Sequence, residues 1–298
     1  MLKSLALFWL GAATIPFDEV WKGGLRMRFD FTIFGIGKSA FISLPQSATA
    51  AEEQGWKRKK KIHLPKGYAK LSMYCPKDEY TVCLFFDDTG YIAGVQVAFR
   101  EEDFHDNIFD WTIQGFSRWT ITVGGKTVDL WTTRVYFISP ETLAIDSKHR
   151  VAHRNPDLML QDHSILVSGF NGKLYRISTN ASEITGPNSD FTEQSCVPGM
   201  GEHYYYKMSK QTKCKASTLF PWSPAVASNQ LVSIQLLRFG NYSVKEELFD
   251  AIEPARTALK AMIPEGPQCL YDLGHSPGLV SLHIYFIETP FLVSCLFE

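Results

Sequence analysis

Apolar and polar residues alternate with period two over much of the chain, the mark of strands with one buried face. Between residues 26 and 34 the alternation sets Met27, Phe29, Phe31 and Ile33 on one side. From Tyr80 onward the pattern becomes a series of hairpins. Residues 81–86 and 91–99 flank Asp87-Asp88-Thr89-Gly90, where aspartate can hydrogen-bond the backbone and glycine accepts positive φ, so a turn is expected there. Residues 119–123 and 127–137 are joined through Gly124-Gly125-Lys126, and Val128, Leu130, Thr132, Arg134 and Tyr136 share a face. Residues 164–168 and 173–178 turn at Asn171-Gly172, a pair suited to the left-handed geometry of a tight hairpin. Further strands are expected at 230–239, 279–286 and 291–295, a bend at Pro221-Trp222-Ser223-Pro224, and loops at 100–110 and 179–195.

Helical spacing is confined to one region. Ser243-Val244-Lys245-Glu246 fits a capping box, and Val244, Leu248, Phe249 and Ile252 recur at helical intervals. Pro254 cannot sit inside a continuous helix, so the pattern predicts two short helices, 243–252 and 254–263, covering a sheet face or edge. The fold class expected is mainly β, a sandwich or barrel-like arrangement of antiparallel hairpins with a short helical segment near the C-terminus. The polar stretch 146–157 is the best boundary between two β-rich halves, 16–145 and 146–298. Cys83-Leu84-Phe85-Phe86-Asp87 with Gly90 is echoed by Cys269-Leu270-Tyr271-Asp272 with Gly274, which raises a duplicated β unit.

Composition changes this picture in one respect, the compartment. Residues 1–15 combine an early lysine, the apolar run Leu5-Ala6-Leu7-Phe8-Trp9-Leu10 and the small residues Gly11-Ala12-Ala13, which reads as a secretory signal peptide too short to span a membrane. The alternative is a buried N-terminal strand or helix turn. Six cysteines, Cys75, Cys83, Cys196, Cys214, Cys269 and Cys295, form an even set suited to an oxidising compartment. The shortest loops would join Cys75 to Cys83, Cys196 to Cys214, and Cys269 to Cys295. Sequons at Asn180 and Asn241 fit a secreted glycoprotein.

Thirty basic against thirty-one acidic residues leave a net charge of −1, so no global field favours nucleic acid or an anionic membrane. The run Lys57-Arg58-Lys59-Lys60-Lys61 reads as a solvated loop, with polyanion contact, a nuclear signal and a dibasic processing site as its other readings. Nucleophile elbows, phosphate loops and dinucleotide fingerprints are absent from the sequence.

Candidate chemistry centres on residues 195–206, where Cys196, Pro198, Gly199 and Gly201 precede Glu202-His203-Tyr204-Tyr205-Tyr206. A constrained turn feeding a strand aims side chains, and alternation sends His203 and Tyr205 one way, as it does Ser281, His283 and Tyr285. If those strands pair, the imidazoles meet, with His275 nearby and Glu202 or Glu288 as acids. Such a group could work as acid and base or hold a metal that activates water or oxygen; histidines satisfied by hydrogen bonds on a half-buried sheet are the structural alternative. His149 and His153, four residues apart, lack the intervening glutamate of a helical zinc motif and read as loop residues. The expectation is a secreted, disulfide-stabilised β protein binding a small apolar or aromatic ligand or an extracellular partner. The catalytic alternative is a secreted oxidoreductase, with oxidation of the kind secreted luciferases perform, or a hydrolase, using His203, His283 and Tyr205 with His275, Tyr285 and Glu202 toward the substrate. No cofactor is implied by any motif.

Overall fold

The structure, a computed structural model, describes residues 21–28, 30, 36–60, 62–243, 248–250 and 254–295. The signal peptide expected at 1–15, the strand positions Phe29, Phe31 and Ile33, Lys61 and the middle of the capping box lie outside the described residues.

The chain enters through β1 (Gly23–Met27) and β2 (Ile42–Ser43), followed by the short helix α1 (Ala48–Glu53). It then lays down β3 (Lys57–Arg58), β4 (Ser72–Cys75), β5 (Val82–Phe86), β6 (Ile92–Arg100), a short β7 (Phe104–His105), β8 (Ser117–Val123) and β9 (Lys126–Tyr136). Helices α2 (Pro140–Ala144) and α3 (Ser147–Ala152) precede β10 (Ser164–Ser168) and β11 (Leu174–Ser178). After α4 (Ala181–Thr185) come β12 (Phe191–Val197), β13 (Gly201–Tyr206), β14 (Trp222–Ala227), β15 (Gln230–Phe239) and β16 (Asn241–Tyr242). Helices α5 (Ala255–Met262) and α6 (Gln268–His275) lead into β17 (Leu279–Ile287).

The strands form an eight-stranded sheet, ordered β11-β10-β9-β6-β5-β4-β3 with β8 beside β9, a seven-stranded sheet, ordered β12-β13-β14-β15-β17-β1-β2, and a two-stranded ribbon of β7 and β16. Pairing is antiparallel, and the three expected hairpins occur as β5/β6, β8/β9 and β10/β11. At the last of these turns Asn171 (φ 56°) and Gly172 (φ 73°) adopt the left-handed region that the Asn-Gly pair predicts.

Alternation explains how the sheets stack. Val95, Val97 and Phe99 of β6, with Val135 and Phe137, belong to the same buried cluster as Leu282, Ile284 and Phe286 of β17. The Phe137 and Phe286 rings lie 5.4 Å apart, edge to face across the two layers. This shared core makes a β-sandwich. Arg238 of β15 also joins the layers: it is wholly buried, donates to Gln114, Asn107 and the Phe109 carbonyl, and lies 3.8 Å over the Trp111 ring. The position 145/146 falls within the eight-stranded sheet, where Tyr136 of β9 pairs with Leu166 of β10, while β1 and β2 belong to the sheet made mostly from the C-terminal half.

The outer face of the seven-stranded sheet is covered by α5 and α6, whose Leu259, Met262, Leu270 and Tyr271 pack with Leu237, Phe239 and Tyr285. The expected helix at 254–263 is therefore present and covers a sheet face. The expected helix at 243–252 is not seen in its described part: residues 248–250 form a turn, a bend and an isolated bridge from Asp250 to Ser281. Residues 268–275 are helical, so they do not duplicate β5. Within 179–195, read as loop, lie α4 and most of β12. The Pro-bounded bend is the start of β14, where Pro224 pairs with Ile234. Residues 290–292 form a single helical turn where a strand was expected.

All six cysteines are bridged, but two expected partners are exchanged: the bonds are Cys75–Cys83, Cys196–Cys295 and Cys214–Cys269. The last turn of the chain runs back beside the β12–β13 connection, where the Gly199 amide donates to the Val293 carbonyl at 2.9 Å, and this brings Cys295 to Cys196. Cys214 instead ties the loop after β13 to α6.

Candidate functional site

The turn between β12 and β13 sets the register of the candidate site. Gly199 (φ 81°) and Gly201 (φ 98°) both take left-handed geometry, and a Cβ at Gly201 would lie 2.8 Å from the Val226 carbonyl oxygen. From this turn β13 sends His203 and Tyr205 to the outer face of the sheet, beneath the helices.

β13 and β17 do not pair; β14 and β15 lie between them. The histidines converge even so. One row across this face reads His203, Ala225, Ser233, Tyr285, and Ser223, Gln235 and His283 stand side by side in the next. The two intervening strands present only small side chains in the first row, so the imidazoles can reach over them, and their ring centroids are 6.0 Å apart at an interplanar angle of 87°. Tyr205 stacks on His203 at 6.2 Å and Tyr285 on His283 at 5.8 Å.

The acid of this group is Asp250, not Glu202 or Glu288. Asp250 Oδ2 contacts His283 Nδ1 at 2.5 Å and accepts from the Ser281 hydroxyl at 3.1 Å. Glu202 is adjacent to His203 on the strand and therefore faces the other way, where it accepts from Tyr204 at 2.8 Å. Glu288 pairs with Arg26, and His275 is exposed at the end of α6. The sequence signal for Asp250 was a lone carboxylate in the apolar run Leu248-Phe249-Asp250-Ala251-Ile252. Gln235 was also missed; its side-chain oxygen accepts from Tyr205 at 3.0 Å and Ser223 at 3.1 Å.

Burial governs the electrostatics. His203 is fully buried, and desolvation, with His283 adding to it, pushes its pKa down to about 3. It is neutral at physiological pH, its Nδ1 3.1 Å from the Gly201 carbonyl and its Nε2 without a hydrogen-bond partner among the described residues. Burial likewise raises the phenols of Tyr205 and Tyr285, with the Asp250 charge adding to the latter. An aspartate-oriented histidine beside a neutral one can relay a proton. The whole group, however, lies beneath the helices with both histidines at 0% exposure.

A different place in the fold is open. Between the β5–β6 turn, α2, α3 and residues 157–163 lies a cavity of about 320 Å³. Ile92, Phe137, Ile138 and Met159 supply its apolar surface, while His149, His153, Arg154 and His163 supply polar edges. Its carboxylates are engaged. Asp87 Oδ1 accepts from the Thr89 amide and hydroxyl and the Tyr91 amide, and its Oδ2 pairs with the buried Arg150, which also holds Asp88. Asp162 accepts from the Ser139 and His163 amides at 2.7 Å; burial works to raise its pKa, but these bonds outweigh burial and hold it below the usual range. Arg154 has neutral neighbours, donating to Thr89 at 2.7 Å and lying 4.1 Å over the Tyr91 ring. His149 and His153, read from sequence as loop residues, sit on and just after α3, stacked at 4.0 Å.

No family model, curated protein or solved structure matches this chain. The reading of both sites therefore rests on their own geometry. Among the described residues no cluster of three or more His, Cys, Asp or Glu side chains is arranged to hold a metal ion, and no helix is long and apolar enough to cross a membrane.

Proposed function

We propose that the chain is an extracellular binding protein for a small apolar or aromatic molecule bearing an acidic group, and that the ligand occupies the cavity beside α3. The observation that carries this reading is a pocket of ligand size with an apolar interior, engaged carboxylates, and an arginine whose partners among the described residues are neutral. An anionic head group would meet Arg154 while the body rests against Ile92, Phe137, Ile138 and Met159. Ile145, Val151 and Leu158, exposed by 43%, 52% and 44%, lie in the segment that forms one wall and extend the apolar surface outward. The disulfides and the exposed Asn180 and Asn241 support the extracellular assignment.

The test uses anilinonaphthalene sulfonate, an aromatic anion whose fluorescence rises in apolar surroundings, and its uncharged analogue. Arg154→Gln should weaken sulfonate binding about tenfold, the loss of about 1.4 kcal/mol, and leave the analogue nearly unchanged. Met159→Trp, which fills the cavity, should abolish both. Unchanged binding of the sulfonate in both variants would refute the assignment.

A second reading, acid–base chemistry at His203, His283 and Tyr205, is favoured by the contact between Asp250 and His283 beside a neutral imidazole. It requires the α5–α6 cover to open. Hydrogen exchange faster in α5 and α6 than in β15 and β17 under native conditions would support it, and equal protection would exclude it.

A further inference from the structure

The basic run left aside by the binding cavity has a structural context that sequence did not supply. β3 is the outermost strand of the eight-stranded sheet, held to β4 by pairing of Lys57 with Cys75 and Arg58 with Tyr74. Described residues of β3 and of the segment leading to β4 line an open groove of about 610 Å³, Arg58, Lys59, Lys60, His63 and Lys66 among them. Ile62, His63 and Pro65 also line a second cavity of about 290 Å³, whose floor is the outer face of β9 with Thr132 and Arg134. The two are adjacent, sharing those three residues in their linings. They form one cationic strip from the sheet edge to the middle of its outer face.

The cations of this strip hold neutral partners. Arg58 donates to the Ser72 hydroxyl at 2.8 Å, and Lys59 donates to the Tyr80 hydroxyl at 3.0 Å while lying 4.2 Å over its ring. Arg134 donates to Gln96 at 2.8 Å, to the His63 carbonyl at 2.7 Å and to the Tyr136 hydroxyl at 3.3 Å. Among the described residues none of Arg58, Lys59, Lys60, Lys66 and Arg134 has a carboxylate oxygen within 4.0 Å. By contrast Arg118, on the rim of the second cavity, is held by Glu101 at 2.9 Å and Asp129 at 3.0 Å. In a chain of net charge −1, five cations gathered without counter-charges are a local feature. A charged edge also blocks strand addition, which accounts for Lys57 and Arg58 but not for Lys60, Lys66 or the half-buried Arg134.

We infer that this strip is a binding site for a linear sulfated polysaccharide. Point charges on lysine suit dispersed sulfate groups, and the groove walls are aliphatic, with Ile62, Leu64, Pro65 and Leu71 between the cations. A single-stranded nucleic acid would need ring faces on which successive bases stack. The nearby aromatic rings are spent on one another: Trp119 packs edge to face against Tyr80 at 5.7 Å, and Lys59 covers Tyr80. The inference is independent of the cavity beside α3.

The experiment measures binding of a fluorescently labelled heparin octasaccharide to the full chain at 150 mM salt. Lys60→Gln combined with Lys66→Gln, both exposed and outside the packed core, should weaken binding about tenfold or more, and chemically desulfated octasaccharide should not bind. Lys126→Gln with Lys173→Gln, both exposed and neither among the residues lining the strip, should leave affinity within twofold of the unmodified chain. Equal weakening by the two double variants, absence of binding, or tighter binding of single-stranded DNA of equal charge would each overturn the proposal.

Discussion

Protonating His203 should cost the protein stability in a defined pH window. The side chain is fully buried, and burial depresses its pKa from 6.5 to about 3. Between those values the unfolded chain binds a proton that the folded chain does not, so the folded state gains stability as pH rises through the window and loses it as pH falls. Above about pH 7.5 the contribution is complete. At pH 5 the unfolded imidazole is almost fully protonated, and the loss is about 1.5 pH units at about 1.4 kcal/mol each, or about 2 kcal/mol. Carboxylates also titrate toward acid, so the measurement is a comparison of the unmodified chain with His203→Asn, which retains a donor toward Gly201 and removes the titration. Equilibrium urea unfolding with the disulfides intact, at pH 8 and pH 5, should give the unmodified chain an extra loss of about 2 kcal/mol over the variant. The variant is less stable at pH 8 because asparagine leaves part of the space unfilled, but its pH dependence is flatter. Equal pH dependence in the two proteins would refute the idea that His203 is held neutral by burial.

Peptide mapping under non-reducing conditions should recover Cys196 with Cys295 and Cys214 with Cys269, and find neither Cys196–Cys214 nor Cys269–Cys295. Replacing Cys196 and Cys295 by serine opens a loop of 99 residues and should destabilise the fold by about 4–5 kcal/mol, against about 2.5 kcal/mol for Cys75 and Cys83, whose separation is 8; the ranking in thermal unfolding checks this. Arg238→Ala should cost about 3 kcal/mol or more, because Gln114, Asn107 and the Phe109 carbonyl lose their shared donor and the Trp111 ring its cation; an unfolding midpoint within error of the unmodified chain would argue against a joint core.

Strands were legible where alternation and turn chemistry agreed. Asp87 to Gly90, Gly124-Gly125 and Asn171-Gly172 each produced the expected hairpin, because two-residue periodicity and a turn residue are both local properties. Long-range partners were not. Cys196 lies 18 positions from Cys214 and 99 from Cys295, yet the sheet order and the returning C-terminal turn bring the distant partner closer in space. The meeting of His203 and His283 followed from assigning them to like faces of their strands, although the assumed direct pairing was replaced by a reach across Ala225 and Ser233. Asp250 was hidden inside a helical pattern that its apolar neighbours imitate. The cavity beside α3 escaped because its apolar part comes from core strands and its polar part from a segment that composition marks as a linker.

The two polar groupings differ in what surrounds them, and that difference separates their roles experimentally. The cluster of His203, His283 and Asp250 is sealed under α5 and α6, so its hydrogen bonds pin β17 to the segment carrying Asp250 and its energetics appear in unfolding. Asp87 and Arg150, with Arg150 also reaching the exposed Asp88, line an open cavity in which these charges compensate one another, and Arg154 donates to the neutral Thr89. Substitution at Ser281 or Gln235 should therefore shift the unfolding midpoint without changing sulfonate affinity, whereas Arg154→Gln should change affinity with less than about 1 kcal/mol of stability lost, as for an arginine without an ionic partner near the surface. If Gln235→Ala altered sulfonate affinity as strongly as Arg154→Gln, the two groupings would be coupled through the shared core, and the separation of the binding cavity from the sealed cluster would fail.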